Sequence, residues 1–547
     1  MTTTPPQSFR TWLVPAGITL CLLGCTVGPN YRPPDPPAVP QWKDQSAQGN
    51  LADHALADQK SDPDPSWWLA FNDPILTGLI EKGIRNNLDV QQAVLRVLEA
   101  RQSIATARAA GLPTLSGNAS YNREQLGVQG ILESKGAYQD LNTLANRLKP
   151  LDATVPGLST DIMNGGTQTL NQLAGPTNLF QYGLDASWEL DLFGRVRRSV
   201  EQARAQSQAQ SEALNDALIV LESEIVQSYV QLRGAQALKA SQEENVKAAE
   251  QNLSLTQRRL QNGLTTELDV DQARTQLDDT RRQLPAYDGQ VQQAMNALSV
   301  LIGDVPGAVD EQLRDSKPVP PIPGVVDVGV PSALARRRPD IRQAEATLHA
   351  ATANVGVAVA SFYPDISLTG NIGMRAVDAS YLTNWASHFY SAGPAVSLPI
   401  FSGGRLTAGL TLARAEQKEA ALSYRATVLN ALREVEDALV TYRVDRASRD
   451  LLQDTLDSAQ LTWDLARNQY DHGLASFINV LSAESTVLAD RQSLVQANVQ
   501  LVNDIVSLYR ALGGGWEKSV QQLPNPDVST LPPPLPGALD RLADPVP

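Results

Sequence analysis

The sequence predicts an α+β fold made from two copies of one unit, each containing two β-strands and two long helices. The first observation is an internal repeat, because Gly194-Arg195 recurs as Gly404-Arg405 at an offset of 210 residues. The same offset relates Gly263-Leu264 to Gly473-Leu474 without any gap. An internal repeat restricts the possible folds before any single motif is considered.

Upstream of this stretch the repeat continues at a different offset. Asp89 matches Asp340 and Pro113 matches Pro364, in both cases 251 residues apart. The first copy therefore has about forty additional residues between Pro113 and Gly183, and the sequence predicts a loop at residues 121–180.

Alternating side chains predict the strands. In residues 181–192, Leu184, Ala186 and Trp188 fall on one face, while acidic and small polar residues occupy the other. This period of two is typical of a β-strand with one apolar and one polar face. It fits either an ordinary half-buried hairpin or a membrane barrel, and four strands from one chain cannot close a barrel in lipid.

Long stretches without proline predict the helices. None occurs in residues 195–262 or 405–472, and apolar or small residues recur with heptad spacing in both copies. Such spacing lets helices pack as coiled coils. Gly263 and Gly473 are predicted to end these helices in the left-handed conformation, and Thr266 and Ser476 to cap the next ones.

These patterns divide the chain into six segments. The predicted segments are a signal peptide at 1–24; an extended segment at 25–73; a first repeat at 74–303, with strands near 113–122 and 181–192 and long helices near 195–262 and 266–302; a linker at 304–330; a second repeat at 331–513, with strands near 364–374 and 391–401 and long helices near 405–472 and 476–512; and a Pro-rich tail at 514–547.

The N-terminus has the features of a lipoprotein signal. Arg10 precedes a short apolar run, and Leu22-Leu23-Gly24-Cys25 is typical of a lipobox, in which Cys25 becomes acylated and the new N-terminus. The predicted lipidation site is therefore Cys25, and acyl chains on it anchor the chain to a membrane. Thr26, where an inner-membrane retention signal would have Asp, favours the outer membrane.

Composition argues against several classes of function. The formal net charge of −14, without a basic stripe, disfavours nucleic-acid binding. The four histidines lack metal-ligand spacing, and no Gly-rich phosphate loop is present. We therefore predict no catalytic residues, no metal site and no cofactor other than the lipid on Cys25.

Several short motifs resemble those of a known family. They are Thr26-Val27-Gly28-Pro29-Asn30-Tyr31-Arg32-Pro33, Trp67-Trp68 with Phe71 and Asp73-Pro74, Ser361-Phe362-Tyr363-Pro364, Phe401-Ser402-Gly403-Gly404-Arg405, and Tyr470 with Gly473-Leu474. Over about residues 25–520 the chain resembles the TolC-like outer-membrane factors, in the lipoprotein branch similar to OprM and NodT.

This resemblance implies a homotrimer, in which four strands from each chain close a twelve-stranded outer-membrane β-barrel. A long periplasmic α-helical barrel continues it. The implied function is the exit duct of a tripartite efflux system, with a periplasmic adaptor and an inner-membrane RND-type pump as partners. A duct for ABC-driven type I protein secretion is the alternative, and a periplasmic coiled-coil scaffold is a third, less favoured possibility.

The resemblance also assigns roles to residues at the helical turns. The implied adaptor-contact tips are Gly263, Leu264, Thr265, Gly473, Leu474 and Ala475. The family constricts its tunnel with acidic residues just after the second turn, but residues 479–482 contain no acid. Asp269 and Tyr470 are the candidate gate residues, expected to hold neighbouring helices together in the closed state.

Overall fold

The computed structural model describes residues 26–35, 42–43, 57–58, 64–125, 127–321, 326–327 and 331–523. The α-helices are α1 (Pro74–Asn86), α2 (Leu88–Ala109), α3 (Val128–Ser134), α4 (Ala137–Leu148), α5 (Leu158–Ala174), α6 (Arg195–Gln261), α7 (Glu267–Leu301), α8 (Asp310–Leu313), α9 (Leu334–Arg337), α10 (Pro339–Ala360), α11 (Arg405–Asp471), α12 (Phe477–Leu512) and α13 (Trp516–Ser519). The strands are β1 (Ala57–Asp58), β2 (Thr114–Glu124), β3 (Thr177–Leu190), β4 (Val326–Asp327), β5 (Asp365–Ala376) and β6 (His388–Ser397).

The chain forms two compact units, and the predicted α+β class with two internal repeats is confirmed. Among the described residues, one unit comprises those within 26–28, 105–200 and 356–409; the other comprises those within 29–104, 201–355 and 410–523. Within the described residues, none of the helices has both the length and the apolar character needed to cross a bilayer.

The first unit is built on a four-stranded antiparallel sheet in the order β2-β3-β5-β6. Leu184 pairs with Ile372, which in turn pairs with Tyr390, while Asp185 pairs with Asn371. Apolar and polar rows therefore lie on opposite faces of the sheet, as the alternation predicts. The apolar row is exposed in this single chain.

The strand limits lie within four residues of those predicted, and two of them differ by the full four. β3 begins at Thr177, and β6 ends at Ser397 rather than continuing to Phe401. Pro399 lacks the N–H that a strand needs for its ladder, which accounts for the early end. Pro394 lies within β6, opposite Leu368 of β5, and has no N–H to donate to a neighbouring strand.

The predicted loop at residues 121–180 contains three helices, α3, α4 and α5. They pack on one another, with Leu141 of α4 against Gly166 of α5, and the Tyr138 hydroxyl donating a hydrogen bond to Asn171 at 3.0 Å. The spacing of Leu141, Leu144, Ala145 and Leu148 is a helical signal within this insertion. A small helical subdomain therefore replaces the expected irregular loop.

The core of the second unit forms around the Trp67-Trp68 motif. Trp67, Trp68 and Phe71 are buried, and the Trp67 ring stacks on Tyr509 with centroids 5.0 Å apart. This motif is therefore part of the core of the second unit. Asp73 caps α1 by accepting a hydrogen bond from Ile75 N–H at 2.9 Å.

The long helices have matching lengths in the two repeats. α6 and α11 each contain 67 residues, and α7 and α12 contain 35 and 36. All but one of the heptad positions are buried or half-buried, and the exception is Leu260, which is 37% exposed. These positions are Val246, Ala249, Leu253, Thr256 and Leu260 in α6, and Leu456, Ala459, Trp463, Ala466 and Tyr470 in α11. This equality of length follows from the gap-free offset of 210.

Each repeat contains a junction at which the end of one helix meets the beginning of another. In the first, Asn87 caps α2 through Val90 N–H at 3.1 Å and donates to the carbonyl of Leu301, at the end of α7. In the second, Arg338 precedes α10 and donates to the carbonyl of Ala511, near the end of α12, at 2.7 Å. Leu301 and Ala511 are 210 residues apart, so the two junctions are structural copies.

A glycine permits the close approach at each junction. Gly303 and Gly513 have φ of +75° and +69°, a left-handed conformation that favours glycine. A Cβ on Gly303 would lie 2.3 Å from the Asn86 carbonyl oxygen, and one on Gly513 would lie 2.6 Å from Arg338 Cγ. Conformation and available space thus both require glycine.

A buried acid lies beside the second junction. Glu222 has no exposed surface and accepts a hydrogen bond from Ser519 at 2.5 Å, while its Oε2 has no partner among the described residues. Burial, with a smaller contribution from Glu517, raises the pKa of Glu222 to about 8. The hydrogen bond from Ser519 acts in the opposite direction.

We predict that Gly513→Ala lowers the stability of the protein by about 2 kcal/mol, because alanine pays the left-handed penalty and meets Arg338. Gly289→Ala is the matched control, since Gly289 lies inside α7 and a Cβ there contacts nothing within 4 Å. The control should be unchanged or stabilised by up to about 1 kcal/mol. Thermal unfolding followed by helical circular dichroism measures both, and equal shifts would contradict the junction geometry.

We also predict that Glu222→Gln stabilises the protein at pH 8 more than at pH 5. The folded-state pKa is raised above the unfolded value, so the stability conferred by the protonated acid is complete below pH 4.5 and is lost as pH rises to 8. A neutral glutamine does not incur this loss, which amounts to a few kcal/mol. The difference in melting temperature between variant and wild type, measured at both pH values, tests this; a pH-independent difference would refute it.

Candidate functional site at the paired helical tips

The candidate site consists of the turns that join α6 to α7 and α11 to α12. Gly263 and Gly473 have φ of +70° and +73°, as predicted. Leu264 N–H donates to the carbonyl of Arg259, and Leu474 N–H to that of Gln469, each at 2.8 Å. These bonds form Schellman motifs, which satisfy the last carbonyls of α6 and α11.

The two turns present apolar side chains to solvent. Leu264 is 67% exposed and Leu474 is 79% exposed. Both leucines follow a left-handed glycine, so the same backbone geometry displays them. Each of the two hairpins therefore ends in an exposed leucine.

Helix capping at the tips differs from the predicted arrangement. Thr266 and Ser476 are the N-cap residues of α7 and α12, but neither side chain makes a capping hydrogen bond. Instead, the Thr265 hydroxyl donates to the carboxylate of Asp269. The candidate gate residue Asp269 is thereby held within its own turn, where its negative charge also favours the start of α7.

Tyr470, the second candidate gate residue, lies in a buried cluster. It is 5% exposed, its ring packs against Phe477 with centroids 5.2 Å apart, and Ala273 and Val480 complete the cluster. Its hydroxyl is buried and has no hydrogen-bond partner among the described residues. Asp269 and Tyr470 are therefore not hydrogen-bonded to each other within one chain.

The structure brings Arg259 to Tyr470. The guanidinium lies 4.5 Å from the centroid of the Tyr470 ring, and its Nη1 donates to the carbonyls of Tyr470 and Asp471 at 3.1 and 3.3 Å. A cation at a helix C-terminus satisfies free carbonyls and offsets the helix dipole. One residue at the end of α6 thus caps the end of α11.

Sequence reasoning missed Arg259, although the repeat contained a signal for it. The positions equivalent to Arg258-Arg259 in the second copy are Asn468-Gln469, which carry no charge. A cation present in one copy only, beside helix-ending carbonyls of the other copy, indicates a bond between the two hairpins. Comparing the copies for differences would have identified it.

A buried acid lies further along α12. Glu484 is almost inaccessible, and the Asn252 side-chain amide donates to its Oε2 at 3.2 Å. Burial raises the pKa of Glu484, while Asn252 and the charge of Arg467 act in the opposite direction. This residue is the acid that follows the second turn, beyond residues 479–482.

The predictions of a lipidation site and of no metal site are separate from the helical tips. Cys25, the predicted lipidation site, lies outside the described residues. In the part of the chain that the structure describes, no group of three or more acidic, histidine or cysteine side chains is arranged to hold a metal ion.

Comparison with known proteins identifies the family. The model of the family described as outer membrane efflux protein matches residues 79–304 and 330–514. The chain belongs to this family. It is 32% identical over 505 residues to the cation efflux system protein CusC of Escherichia coli (strain K12), covering 92% of this chain and 99% of that protein.

Two further similarities support the assignment. The solvent efflux pump outer membrane protein SrpC of Pseudomonas putida is 31% identical over 512 residues, covering 92% of this chain and 98% of SrpC. The solved structure of the outer-membrane channel OprN superimposes with a TM-score of 0.76 at 31% identity, covering 90% of this chain and 100% of that one. The chain is accordingly an efflux channel of the outer membrane.

We predict that Arg259→Ala increases the conductance of the reconstituted channel severalfold, because the bond between the ends of α6 and α11 is lost. Arg258→Ala is the matched control, since Arg258 is an exposed neighbouring cation. Single-channel recording in planar bilayers measures both. Asp269→Ala and Tyr470→Phe test the gate pair in the same experiment, and unchanged conductance in all three variants would argue against gating at the tips.

Proposed function

We propose that this chain forms a homotrimeric exit duct, passively conducting small molecules from a periplasmic adaptor and an inner-membrane RND-type pump to the cell exterior. The observation that carries the proposal is the pair of equivalent turns, each displaying an exposed leucine at the end of a long hairpin. Two matching contact points per chain suit a partner that caps the duct.

The sheet supports association of several chains. β2 and β6 are edge strands, and the apolar row that includes Leu184 and Ile372 is exposed. In lipid, an unpaired strand edge leaves backbone N–H and C=O groups without hydrogen-bond partners. In water, an exposed edge and an apolar face both favour association with other chains. Pairing of β2 with β6 of the next chain removes both edges, and three chains supply twelve strands.

The segment after Cys25 supports a lipid anchor on that residue. Val27 N–H donates to the carbonyl of Phe193 at 3.1 Å, and Arg198 donates to the carbonyl of Val27 at 3.2 Å. Thr26 lies against Gly194, so the residues that follow Cys25 are fixed beside the turn between β3 and α6. An acyl chain on Cys25 would add membrane attachment at that turn.

In this proposal the inner-membrane pump, and not the duct, determines which substrates are exported. Relatives of similar identity are named for cation, solvent and antibiotic efflux, which are chemically different cargoes. We infer that drugs or other toxic small molecules pass through this duct without selection at the tips. Asp269 and Tyr470 then act as a closure between neighbouring helices.

The test is photo-crosslinking in cells from a photoreactive residue placed at Thr265 or Ala475, with mass spectrometry of the products. We expect capture of an adaptor encoded with an RND-type pump from both positions. The matched control is Thr455, an exposed residue within α11. Capture of an ABC-type adaptor would favour protein secretion instead, and equal capture from the control would refute the tips as the contact site.

A further inference from the structure

The second unit contains two cavities that are copies of each other. The second-repeat cavity, of about 600 Å³, lies at the junction of α10 and α12; the first-repeat cavity, of about 570 Å³, lies at the end of α7. Seven of their lining positions correspond at the offset of 210, namely Glu224, Gln227, Ser228, Gln231, Ala297, Val300 and Leu301 with Glu434, Asp437, Ala438, Thr441, Ser507, Arg510 and Ala511.

The two cavities differ in charge. The second-repeat cavity has five carboxylates and two guanidinium groups in its lining, from Asp216, Asp340, Glu434, Asp437, Asp504, Arg338 and Arg510. The first-repeat cavity has one carboxylate, that of Glu224. The two cavities share seven lining positions and differ in charge, since Asp437 replaces Gln227, and Asp504 of the second-repeat cavity corresponds to Ala294, which does not line the first.

Asp504 is the most deeply buried of these acids. It is 4% exposed, its Oδ1 accepts a hydrogen bond from Gln500 at 2.8 Å, and its Oδ2 has no partner among the described residues. An unpartnered buried carboxylate oxygen is costly to maintain in a folded protein. Arg338 does not compensate it, because that guanidinium is bonded to Asp340 and Glu434 at 2.7 and 2.8 Å.

The excess of negative charge points to a cationic ligand, and the geometry indicates which kind. The carboxylates come from four helices, and in the described part of the chain no three of them converge closely enough to hold a metal ion. Volumes between about 300 and 1,000 Å³ are typical of pockets for small organic ligands. An extended molecule with several separated positive charges matches carboxylates spread around such a volume.

We propose that the second-repeat cavity is a binding site for an organic oligoamine, with Asp504 and Asp216 as the principal anionic contacts. A passive duct requires no such site, so this function is additional to conduction. Arg338 and Arg510 limit the ligand to the acidic side of the cavity by repulsion.

The ionisation of Asp504 makes binding depend on pH. Burial, together with the neighbouring Asp445 carboxyl, raises the pKa of Asp504 to about 6. Burial, and after it the charge of Asp340, raises the pKa of Asp216. The groups around Asp504 are Asp216 of α6, Arg338 and Asp340 at the start of α10, Glu434, Asp437, Tyr442 and Asp445 of α11, and Gln500 and Arg510 of α12.

The test uses spermidine, titrated calorimetrically into the detergent-solubilised full-length protein at constant ionic strength. We expect one saturable site per chain, with affinity about tenfold weaker in Asp504→Asn or Asp216→Asn. Affinity should also fall from pH 7.5 to pH 5.5, where spermidine stays charged and Asp504 becomes protonated. Glu224→Gln is the matched control, because it removes one charge from the first-repeat cavity.

Several outcomes would overturn the proposal. An equal loss of affinity in Asp504→Asn, Asp216→Asn and Glu224→Gln would indicate general attraction to an acidic protein. The absence of saturable binding in wild type would exclude an oligoamine site. Binding of Mg²⁺ alone that is tighter than that of spermidine, and abolished by Asp504→Asn, would assign the cavity to a metal ion. Helical circular dichroism of each variant separates these results from misfolding, and Asp216→Asn, at a half-buried position, is the second variant should Asp504→Asn not fold.

Discussion

The second unit depends on two junctions, at each of which one side chain links the end of one helix to the beginning of another. α7 ends where α2 begins, and α12 ends where α10 begins. The last carbonyls of a helix have no partner within it. Asn87 and Arg338 satisfy such carbonyls while introducing the next helix, which turns two helix ends into one continuous contact.

The side chains at the two junctions contribute different amounts to stability. Asn87 is neutral, and a capping interaction of this type contributes about 1 kcal/mol. Arg338 carries a charge, is nearly buried and bonds two carboxylates in addition to a carbonyl, and each charge-assisted bond contributes about 1.5–3 kcal/mol. Burial of Arg338 opposes these gains. The second junction thus requires acids around it, whereas the first does not.

Positions at which the backbone is constrained were the ones predictable from the sequence. Gly263 and Gly473 were expected to be left-handed because only glycine adopts that conformation without cost, and the repeat fixed the equal lengths of α6 and α11. The helices of residues 121–180 were missed because that insertion has no counterpart in the second copy. Arg259 was missed because its signal is a difference between the copies, in which Gln469 occupies the equivalent position, and not a pattern within either copy.

Differences between the copies are therefore more informative about function than their similarities. Glycines at 263 and 473, and at 303 and 513, agree because the same turn must form twice. Charges at equivalent positions are free of that constraint, and they diverge at the tip and beside the second junction. Arg259 occupies the position of Gln469, and Asp504 occupies the position of Ala294. The two copies keep the same helices and turns because the same backbone conformation must form in each. The bond at the tips and the charged cavity come from side chains that differ between the copies and that the backbone conformation does not require.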